Sequence, residues 1–243
     1  MKTPTPQARI LILDLENGQL TATVLDPAGN PLTPYERIPT PRPGTPEAVL
    51  SAVEQATAQF GGFDYISMGF PGYVRNGTVQ TAPHLGTADW AGVYLQGLLT
   101  DRFQRPAQVV NDADLLGMGI AEGQGVELVV TLGIGIGSAF LLDGELLPHL
   151  ELAHHPLKEG LDYDQYIGQE ELDRIGVDAW NGRMREVIEV LETVFHYDTL
   201  HLGGENAKLI DFELGPRVRR ADSIDGIRGG CRLWTREIAA LPR

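Results

Sequence analysis

A strand, a glycine-containing turn and a second strand occur near the start of each half of the chain. The first set, "ILILDLENGQLTATVL", predicts strands at Arg9–Leu13 and Thr21–Leu25, joined by a turn at Asn17-Gly18. The second set, "ELVVTLGIGIGSAFLL", predicts strands at Glu127–Leu132 and Ala139–Leu142. After each set, helical patterns alternate with short apolar strands. The repetition predicts an α/β protein with two lobes.

The order of the predicted helices and strands places the division of the chain after the strand 107–110. We assign residues 1–110 to an N-terminal α/β lobe and residues 111–243 to a C-terminal α/β lobe. Thr45 and Pro46 are a favoured cap and a favoured first residue for the first long helix. The segment "DAWNGRMREVIEVLETVF" predicts the clearest helix of the second lobe. The segment "DGIRGGCRLWTREIAAL" predicts a closing helix, which can pack back on the N-terminal lobe.

Composition and charge exclude several classes of protein. Hydrophobic content of 42% and charged content of 21% are those of an ordinary globular domain, and no apolar run approaches the roughly 20 residues of a membrane span. With 33 acidic and 19 basic residues, the formal charge of −14 disfavours nucleic-acid and anionic-membrane partners. The amino-terminal sequence has no signal-peptide pattern, and the single cysteine, Cys231, rules out an internal disulfide framework. These features predict a cytoplasmic protein.

The motif "VVNDAD" follows a predicted strand and precedes a predicted helix. Asn111 and Asp112 therefore fall at the edge of an α/β sheet where ligands usually bind. A carboxylate there can accept a proton from a hydroxyl group, and the neighbouring amide can orient that hydroxyl. The competing interpretation is that Asp112 only caps the helix, a much commoner use of aspartate. The motif alone favours the cap.

The motif "ELAHH" is the second polar cluster. Glu151 and His154 are three residues apart, so a turn or a helix would place both on one face, where they can hydrogen-bond a polyhydroxylated ligand. A metal pair would need further ligands, and the sequence has no matching second cluster. On its own this motif is a weak signal.

Three turns carry the residues of a phosphate site. Gly133 and Gly135 stand between two apolar strands, where glycines let successive backbone N–H groups converge on an anion. Gly203 and Gly204 precede a predicted helix, whose free N–H groups also attract anions. Asp14 stands at the end of the first strand. Glycines that merely allow close packing are the competing interpretation of each turn, but together the three turns fit a phosphate clamp.

These motifs together resemble the ROK family of sugar kinases, and most of all its polyphosphate glucokinase branch. The resemblance rests on "GFPGYVRNGTVQTAPHLG", "VVNDADLLG", "VTLGIGIGSAFLLDGELLPHLELAHHPL", "IGVDAWNGRMREVIEVLETVFHYDTLHLGGENAK" and "DGIRGG". It covers the chain from Arg9 to about Trp234 in the family's order. It implies a two-lobed actin-like ATPase (ribonuclease-H-like) fold, and transfer of the terminal phosphoryl group of ATP or polyphosphate, with Mg²⁺, to the 6-hydroxyl of a hexose.

The resemblance also implies roles for individual residues. On the sugar side it implies that Asp112 is the general base and that the sugar is bound by Asn111, Glu151, His154, Pro71 and Gly72. On the donor side it implies phosphate or nucleotide binding by Asp14, Thr131, Gly133, Gly135, Gly203 and Gly204, with Asp14 also the candidate Mg²⁺ ligand. The zinc-binding cysteine cluster of many ROK proteins is absent from the sequence.

The donor-side turns depart from the family pattern. Glu16 and Asn17 replace glycines in the first, Ile134 replaces threonine in the second, and Glu205 replaces glycine in the third. On the sugar side, His84 replaces asparagine. A carboxylate within ~4 Å of a phosphate oxygen would cost about 4 kcal/mol at an effective dielectric near 20, or roughly three orders of magnitude in binding or rate. Glu205 also suits the first turn of a helix, where the dipole favours a carboxylate.

The residues leave three hypotheses open. The first is an active hexose kinase, with glucose as the expected sugar and Asp112 as the base. The second is a sugar-binding protein of kinase ancestry with impaired transfer, acting as a sensor or regulator. The third, with the least support, is a metal-dependent hydrolase that uses Asp14, Glu16, Asp112 and Glu205 as ligands. The family resemblance also implies a homo-oligomer, with a dimer as the expected state.

Overall fold

The computed structural model describes residues 8–16, 18–83, 85–221 and 226–239. These residues form two compact units, one from chain segments 1–119 and 227–243 and the other from 120–226. The first unit thus extends to residue 119, past the division predicted after residue 110, and also includes the segment that starts at Ile227. None of the helices in the described segments is long and apolar enough to cross a membrane.

The described residues of the first unit contain a five-stranded sheet, a small hairpin and several helices. The strands are β1 (Ile10–Glu16), β2 (Gln19–Leu25), β3 (Glu36–Pro39), β4 (Tyr65–Phe70), β5 (Val74–Arg75), β6 (Thr78–Val79) and β7 (Ala107–Asn111), and the helices are α1 (Pro46–Thr57), α2 (Thr87–Trp90), α3 (Leu95–Phe103) and α4 (Asp112–Ile120). The sheet has the order β3-β2-β1-β4-β7. β2 is antiparallel to β1 and β3, whereas β4 is parallel to β1 and β7.

The central strand β1 is apolar from Ile10 to Leu13 because both of its faces are covered. Leu11 and Leu13 pack in one cluster with α1 and α3, while Ile10 and Ile12 pack in another on the opposite face. Such a strand reads as a continuous hydrophobic run rather than an alternating one. α1 begins as predicted, since the Thr45 side chain accepts the backbone N–H of Ala48.

The described residues of the second unit repeat this plan. The strands are β8 (Val126–Leu132), β9 (Ile136–Leu142), β10 (Glu145–Leu146), β11 (Pro156–Lys158), β12 (Leu161–Asp162), β13 (Thr199–Gly203) and β14 (Val218–Arg220), and the helices are α5 (Tyr163–Ile167), α6 (Gln169–Ile175) and α7 (Val177–Phe195), with 3₁₀ segments at Leu152–His154 and Glu205–Leu209. The sheet has the order β10-β9-β8-β13-β14. β9 is antiparallel to β8 and β10, whereas β13 is parallel to β8 and β14.

The two sheets therefore share strand order and strand direction, and the equivalence extends to single residues. In the first sheet Asp14 of β1 stands opposite Gly69 of β4. In the second sheet Thr131 of β8 stands opposite Gly203 of β13. Candidate site residues thus occupy the same place near the ends of equivalent strands.

The end of the chain packs on the first unit, in two short helices where one was predicted. In the described residues these are α8 (Gly229–Arg232) and α9 (Thr235–Ala239). Leu115 of α4 lies in the same apolar cluster as Cys231 and Trp234, which explains why α4 belongs to the first unit. A Cβ on Gly229 would lie 1.9 Å from the carbonyl oxygen of Leu115, so only glycine permits this approach.

Candidate functional site

Asn111 joins three pieces of the first unit at the end of β7. Its Oδ1 accepts the backbone N–H groups of Ala113 at 2.8 Å and Asp114 at 3.3 Å, the second and third residues of α4. Its Nδ2 donates to the carbonyl oxygen of Gly72 at 3.1 Å. Asn111 is therefore the N-cap of α4, and it ties that helix to the Pro71-Gly72 turn.

Asp112 is the first residue of α4 and is partly exposed. Its Oδ1 accepts the N–H of the adjacent Ala113 at 2.9 Å. Asn111 accepts the N–H groups of Ala113 and Asp114, which are those that an N-cap side chain bonds. Asn111, and not Asp112 as the sequence suggested, is therefore the cap of α4. The carboxylate of Asp112 is thus placed at a helix N-terminus on the sheet edge without being needed as the cap.

Asp14 is buried beside Asp112. Its side chain is 3% exposed, and its Oδ1 has no hydrogen-bond partner among the described residues. A Cβ on Gly69 would lie 3.0 Å from this Oδ1 and 3.2 Å from the Cα of Asp112, so glycine at this position lets the two acids approach. Burial raises the pKa of the Asp14 carboxyl well above its usual range, and the carboxylates of Glu16 and Asp112 raise it further.

The Asp14–Asp112 edge has the chemistry of a hard-cation site. Mg²⁺ prefers oxygen ligands and needs only one or two protein carboxylates when phosphate oxygens and water complete its shell. The unpartnered Oδ1 of Asp14 fits that demand. Across the described parts of the chain, no group of three or more His, Cys, Asp or Glu side chains is arranged to hold a metal ion. The four-carboxylate hydrolase is therefore not among our proposals.

The Pro71-Gly72 turn is held by close backbone packing. A Cβ on Gly72 would lie 2.1 Å from the carbonyl oxygen of Thr81, which makes glycine obligatory. The backbone N–H of Tyr73 donates to the Thr81 hydroxyl at 3.0 Å. The turn and Asn111 thus form one connected structure in the first unit. Two of the departures from the family pattern, Asn17 on the donor side and His84 on the sugar side, lie outside the described residues.

In the second unit, the turn between β8 and β9 carries Gly133 and Gly135. The Gly133 N–H donates to the Gly135 carbonyl oxygen at 3.1 Å, and the Gly133 carbonyl accepts from Asn206 Nδ2 at 3.3 Å. Ile134 at the tip is 57% exposed, and its carbonyl accepts the backbone N–H of Gln169 at 3.4 Å. The turn is therefore supported from the sides while its tip faces outward.

Gly203 is the last residue of β13 and Gly204 follows it directly, and the helix after them is a single short 3₁₀ segment. Gly204 has a φ of +84°, and a Cβ there would lie 2.4 Å from the carbonyl oxygen of Leu132. Asn206 is buried and bonds to Gln169 Oε1 at 2.9 Å, which turns the segment inward. A helical segment thus starts where one was predicted, but it is five residues of 3₁₀ helix, too short to build the dipole of a longer α-helix.

Glu205 does not cover the glycine turns of the second unit. Its carboxylate pairs with Lys208 Nζ at 3.1 Å, and both side chains are 71% exposed. The negative charge of Glu205, which the sequence analysis expected to repel a phosphate donor, is thus solvated and offset by Lys208.

Glu151 and His154 lie on one 3₁₀ turn, closed by the His154 N–H to the Glu151 carbonyl at 3.2 Å. The structure therefore brings these two predicted sugar ligands together on the second unit. His149, which the sequence analysis did not single out, is buried with its Nε2 3.5 Å from Glu151 Oε1. The adjacent His149 ring lowers the pKa of the Glu151 carboxyl against the opposing effect of burial, with His154 adding to the lowering. Glu151 is thereby kept as an acceptor for hydroxyl groups.

Three residues of the candidate site were missed from the sequence: Gly69, His149 and Asp164. That Gly69 of β4 stands beside Asp14 can be deduced only once the parallel register of β4 with β1 is known. His149 stands two residues before Glu151, a spacing with no motif attached. Asp164 reaches the glycine turn from 28 residues away, and only the helix start at Asp162 has a sequence signature.

A family model described as ROK family matches residues 12–151, more than half of the chain. The polyphosphate glucokinase of Mycobacterium leprae is 26% identical over 211 residues, a match that covers 82% of this chain and 60% of that protein. The chain thus spans about three fifths of the length of this curated relative.

Two solved structures share the fold. Inorganic polyphosphate/ATP-glucomannokinase from Arthrobacter sp. strain KM matches with a TM-score of 0.83 and 29% identity, covering 96% of this chain and 98% of that one. A ROK family glucokinase from Streptomyces griseus, solved in complex with glucose and AMPPNP, matches with a TM-score of 0.74 and 19% identity, covering 93% of this chain and 99% of that one. The second likeness bears on the fold alone.

Fold and sheet topology together define the class: an α/β protein with the actin-like ATPase (ribonuclease-H-like) fold of sugar kinases, as predicted. The chain belongs to the ROK family.

Proposed function

We propose that the protein is a hexose kinase that transfers a phosphoryl group from ATP or polyphosphate to the 6-hydroxyl of a hexose, with glucose the expected sugar. The observation that carries this proposal is the placement of Asp112 at the head of α4, where Asn111 performs the capping and Asp14 lies alongside. The kinase names of the Mycobacterium leprae relative and of the Arthrobacter structure support it.

In the proposed reaction, Asp112 accepts the proton of the sugar hydroxyl as that oxygen bonds to the terminal phosphorus of the donor. The bond between that phosphorus and the bridging donor oxygen breaks, and the shortened donor leaves with the electron pair. General-base catalysis of this kind is worth roughly 10²–10⁴-fold in rate. Asn111 and the Pro71-Gly72 turn are the proposed sugar contacts of the first unit, and Glu151 and His154 those of the second.

The proposed donor contacts are the backbone and hydroxyl groups of Thr131, Gly133, Gly135, Gly203 and Gly204. Mg²⁺, when bound, neutralises phosphate charge. Asp14 would be its protein ligand, and its orphaned buried oxygen suits that role. Because its pKa is raised, the Asp14 carboxyl keeps its proton to higher pH than an ordinary aspartate. A bound cation would offset the negative charge of this edge and favour the ionised form.

We propose further that the two compact units are the two lobes of the kinase, with a homodimer in the cytoplasm as the working form. The single buried cysteine, Cys231, suits a reducing compartment, since burial first and then Asp26 raise the pKa of its thiol to about 12. The net charge of −14 disfavours nucleic acid as a partner.

A second candidate function is a sugar-binding sensor or regulator without transfer. The observation that favours it is the acidic character of the proposed donor side: Asp14 and Glu16 in one unit, and Asp164 against the glycine turn in the other. Each negative charge disfavours a polyanionic donor.

Calorimetry combined with a product assay separates the two functions. The kinase proposal predicts heat on titration with glucose, heat with Mg·ATP or polyphosphate, and formation of glucose 6-phosphate. Heat from glucose with no product from either donor would leave the sensor as the better description. No heat from glucose or other common hexoses, and no product, would refute both.

A further inference from the structure

The glycine turn of the second unit already holds an anion, and that anion belongs to the chain. The backbone N–H of Ile136 donates to Oδ1 of Asp164 at 2.6 Å. A Cβ on Gly135 would lie 3.5 Å from Oδ1 and 3.6 Å from Oδ2. The carboxylate of Asp164 therefore lies against the turn with both of its oxygens, in a charge-assisted hydrogen bond.

The structure around Asp164 fixes it there. The side chains of Asp162 and Gln165 form a capping box at the start of α5, which sets the position of Asp164 in the first turn of that helix. The next helix is bonded to the same turn, because the Gln169 N–H donates to the Ile134 carbonyl. The α5–α6 segment and the glycine turn thus form one bonded set within the second unit.

A glycine turn binds phosphate by directing backbone N–H groups at its oxygens. At Ile136 that N–H is already taken by a carboxylate, and the negative charge lies beside the neighbouring glycine. A donor phosphate at this turn would meet like charge and one occupied donor group. The other acid of the region, Glu205, is solvated and paired with Lys208, so it does not act in this way.

We propose that Asp164 is a specificity-determining residue. Its carboxylate acts as an internal anion at the turn between β8 and β9, which carries Gly133 and Gly135, and weakens binding of polyanionic phosphoryl donors there. The inference rests on the proposed function, since it takes this turn as a donor contact. Removing the charge while keeping an acceptor for the Ile136 N–H should therefore tighten anion binding.

The test compares two variants that lose one negative charge in the same unit. Asp164→Asn removes the carboxylate from the glycine turn. Asp143→Asn is the matched control, because Asp143 also accepts a backbone N–H, that of Gly125 at 2.9 Å, and pairs with no residue of the glycine turn. Each full-length protein is titrated with inorganic tripolyphosphate by calorimetry, without sugar.

We expect about tenfold tighter tripolyphosphate binding by Asp164→Asn and a change within about twofold for Asp143→Asn, with the difference shrinking as salt is raised. Equal gains in both variants, no gain in Asp164→Asn, or no binding by it would each overturn the proposal. If Asp164→Asn does not fold, Asp164→Ser replaces it under the same criteria.

A second readout separates this role from a merely structural one. In amide NMR spectra, tripolyphosphate should shift the Ile136 resonance in Asp164→Asn more than in the wild type. An equal shift in both proteins would count against the proposal. Neither readout needs catalysis: absence of hexose phosphate would refute the kinase alone, whereas product formation without any gain on charge removal would refute the role of Asp164 alone.

Discussion

The hairpins β1–β2 and β8–β9 hold the same place in two sheets of the same order, yet they carry different chemistry. Asp14 of β1, opposite Gly69, is a buried acid with a raised pKa. The equivalent residue of β8 is Thr131, which stands opposite Gly203. Thr131 is partly exposed and uncharged. The repeated topology puts the ends of equivalent strands in the same place in each sheet. The side chain at that place differs: an acid in the first sheet can bind protons or cations, whereas an uncharged residue in the second leaves backbone N–H groups as polar donors.

The turns of the two hairpins differ as well. Gly18 in the first has open space around the position of a Cβ. The second turn is bonded to residues from three other segments, Asp164, Gln169 and Asn206. In the proposed function the first unit therefore contributes mainly acidic side chains, whereas the second contributes a turn held in a fixed shape.

The largest effect is expected at the acid of the first unit. Asp112→Asn keeps an acceptor for the Ala113 N–H but removes the proposed base, so kcat should fall roughly 10²–10⁴-fold with glucose affinity nearly unchanged. Steady-state kinetics and glucose calorimetry check this. Loss of glucose binding in parallel with kcat would assign Asp112 to sugar binding alone and break the proposed division of roles.

Alanine at one positive-φ glycine turn in each unit should sharpen the contrast in backbone packing. Gly204→Ala places a Cβ 2.4 Å from the Leu132 carbonyl at a φ of +84°, and we expect a loss of roughly 2–4 kcal/mol in the free energy of unfolding. Gly18→Ala has the strained φ of +74° but no contact, and we expect a loss of about 1 kcal/mol. Denaturant unfolding measures both. Equal losses would show that the turn after β13 in the second unit is not packed more tightly than the β1–β2 turn of the first.

A smaller effect with a definite sign concerns pH. Because the folded-state pKa of Asp14 is raised, ionisation of this acid costs stability as pH rises from its ordinary value of 3.8 through the raised one. Without divalent cations, Asp14→Asn should therefore be more stable than the wild type at neutral pH, by about 1 kcal/mol, with the gain vanishing in acid.

The control for Asp14 is the carboxylate with the opposite shift. The pKa of Glu151 is lowered by the adjacent His149 ring, so this acid stabilises the fold above its ordinary pKa and loses that contribution as pH falls through the lowered one. Glu151→Gln should therefore lose stability at neutral pH. Unfolding curves at several pH values that move in the same direction for both variants would contradict the assigned environments.

The fold was predictable because its signals are local and repeated. The strand–turn–strand sets, the Thr45 cap and the long α7 pattern each depend on neighbouring residues, and they match the structure closely. Two helix predictions differ from the structure: the helix that starts after Gly204 is a 3₁₀ segment, and the closing helix is interrupted by turns within residues 226–239. In both places tertiary packing of glycines and buried side chains, rather than helical period, decides the backbone.

The candidate site was only half predictable. The sequence placed Asn111 and Asp112 at a strand–helix junction, but which of the two caps the helix depends on side-chain geometry. It gave weight to Glu205 because that residue breaks a glycine pattern, whereas the carboxylate on the turn is Asp164, brought there by α5. Contacts between residues far apart in sequence leave no periodic signal.

The most direct test of the central claim is a ³¹P NMR experiment on glucose-saturated protein with Mg²⁺ and either ATP or polyphosphate. The claim that the Asp112 carboxylate activates a bound hexose predicts a hexose 6-phosphate resonance with the wild type that is absent, on the same timescale, with Asp112→Asn. No new phosphomonoester from the wild type with either donor, or equal amounts from both proteins, would contradict it.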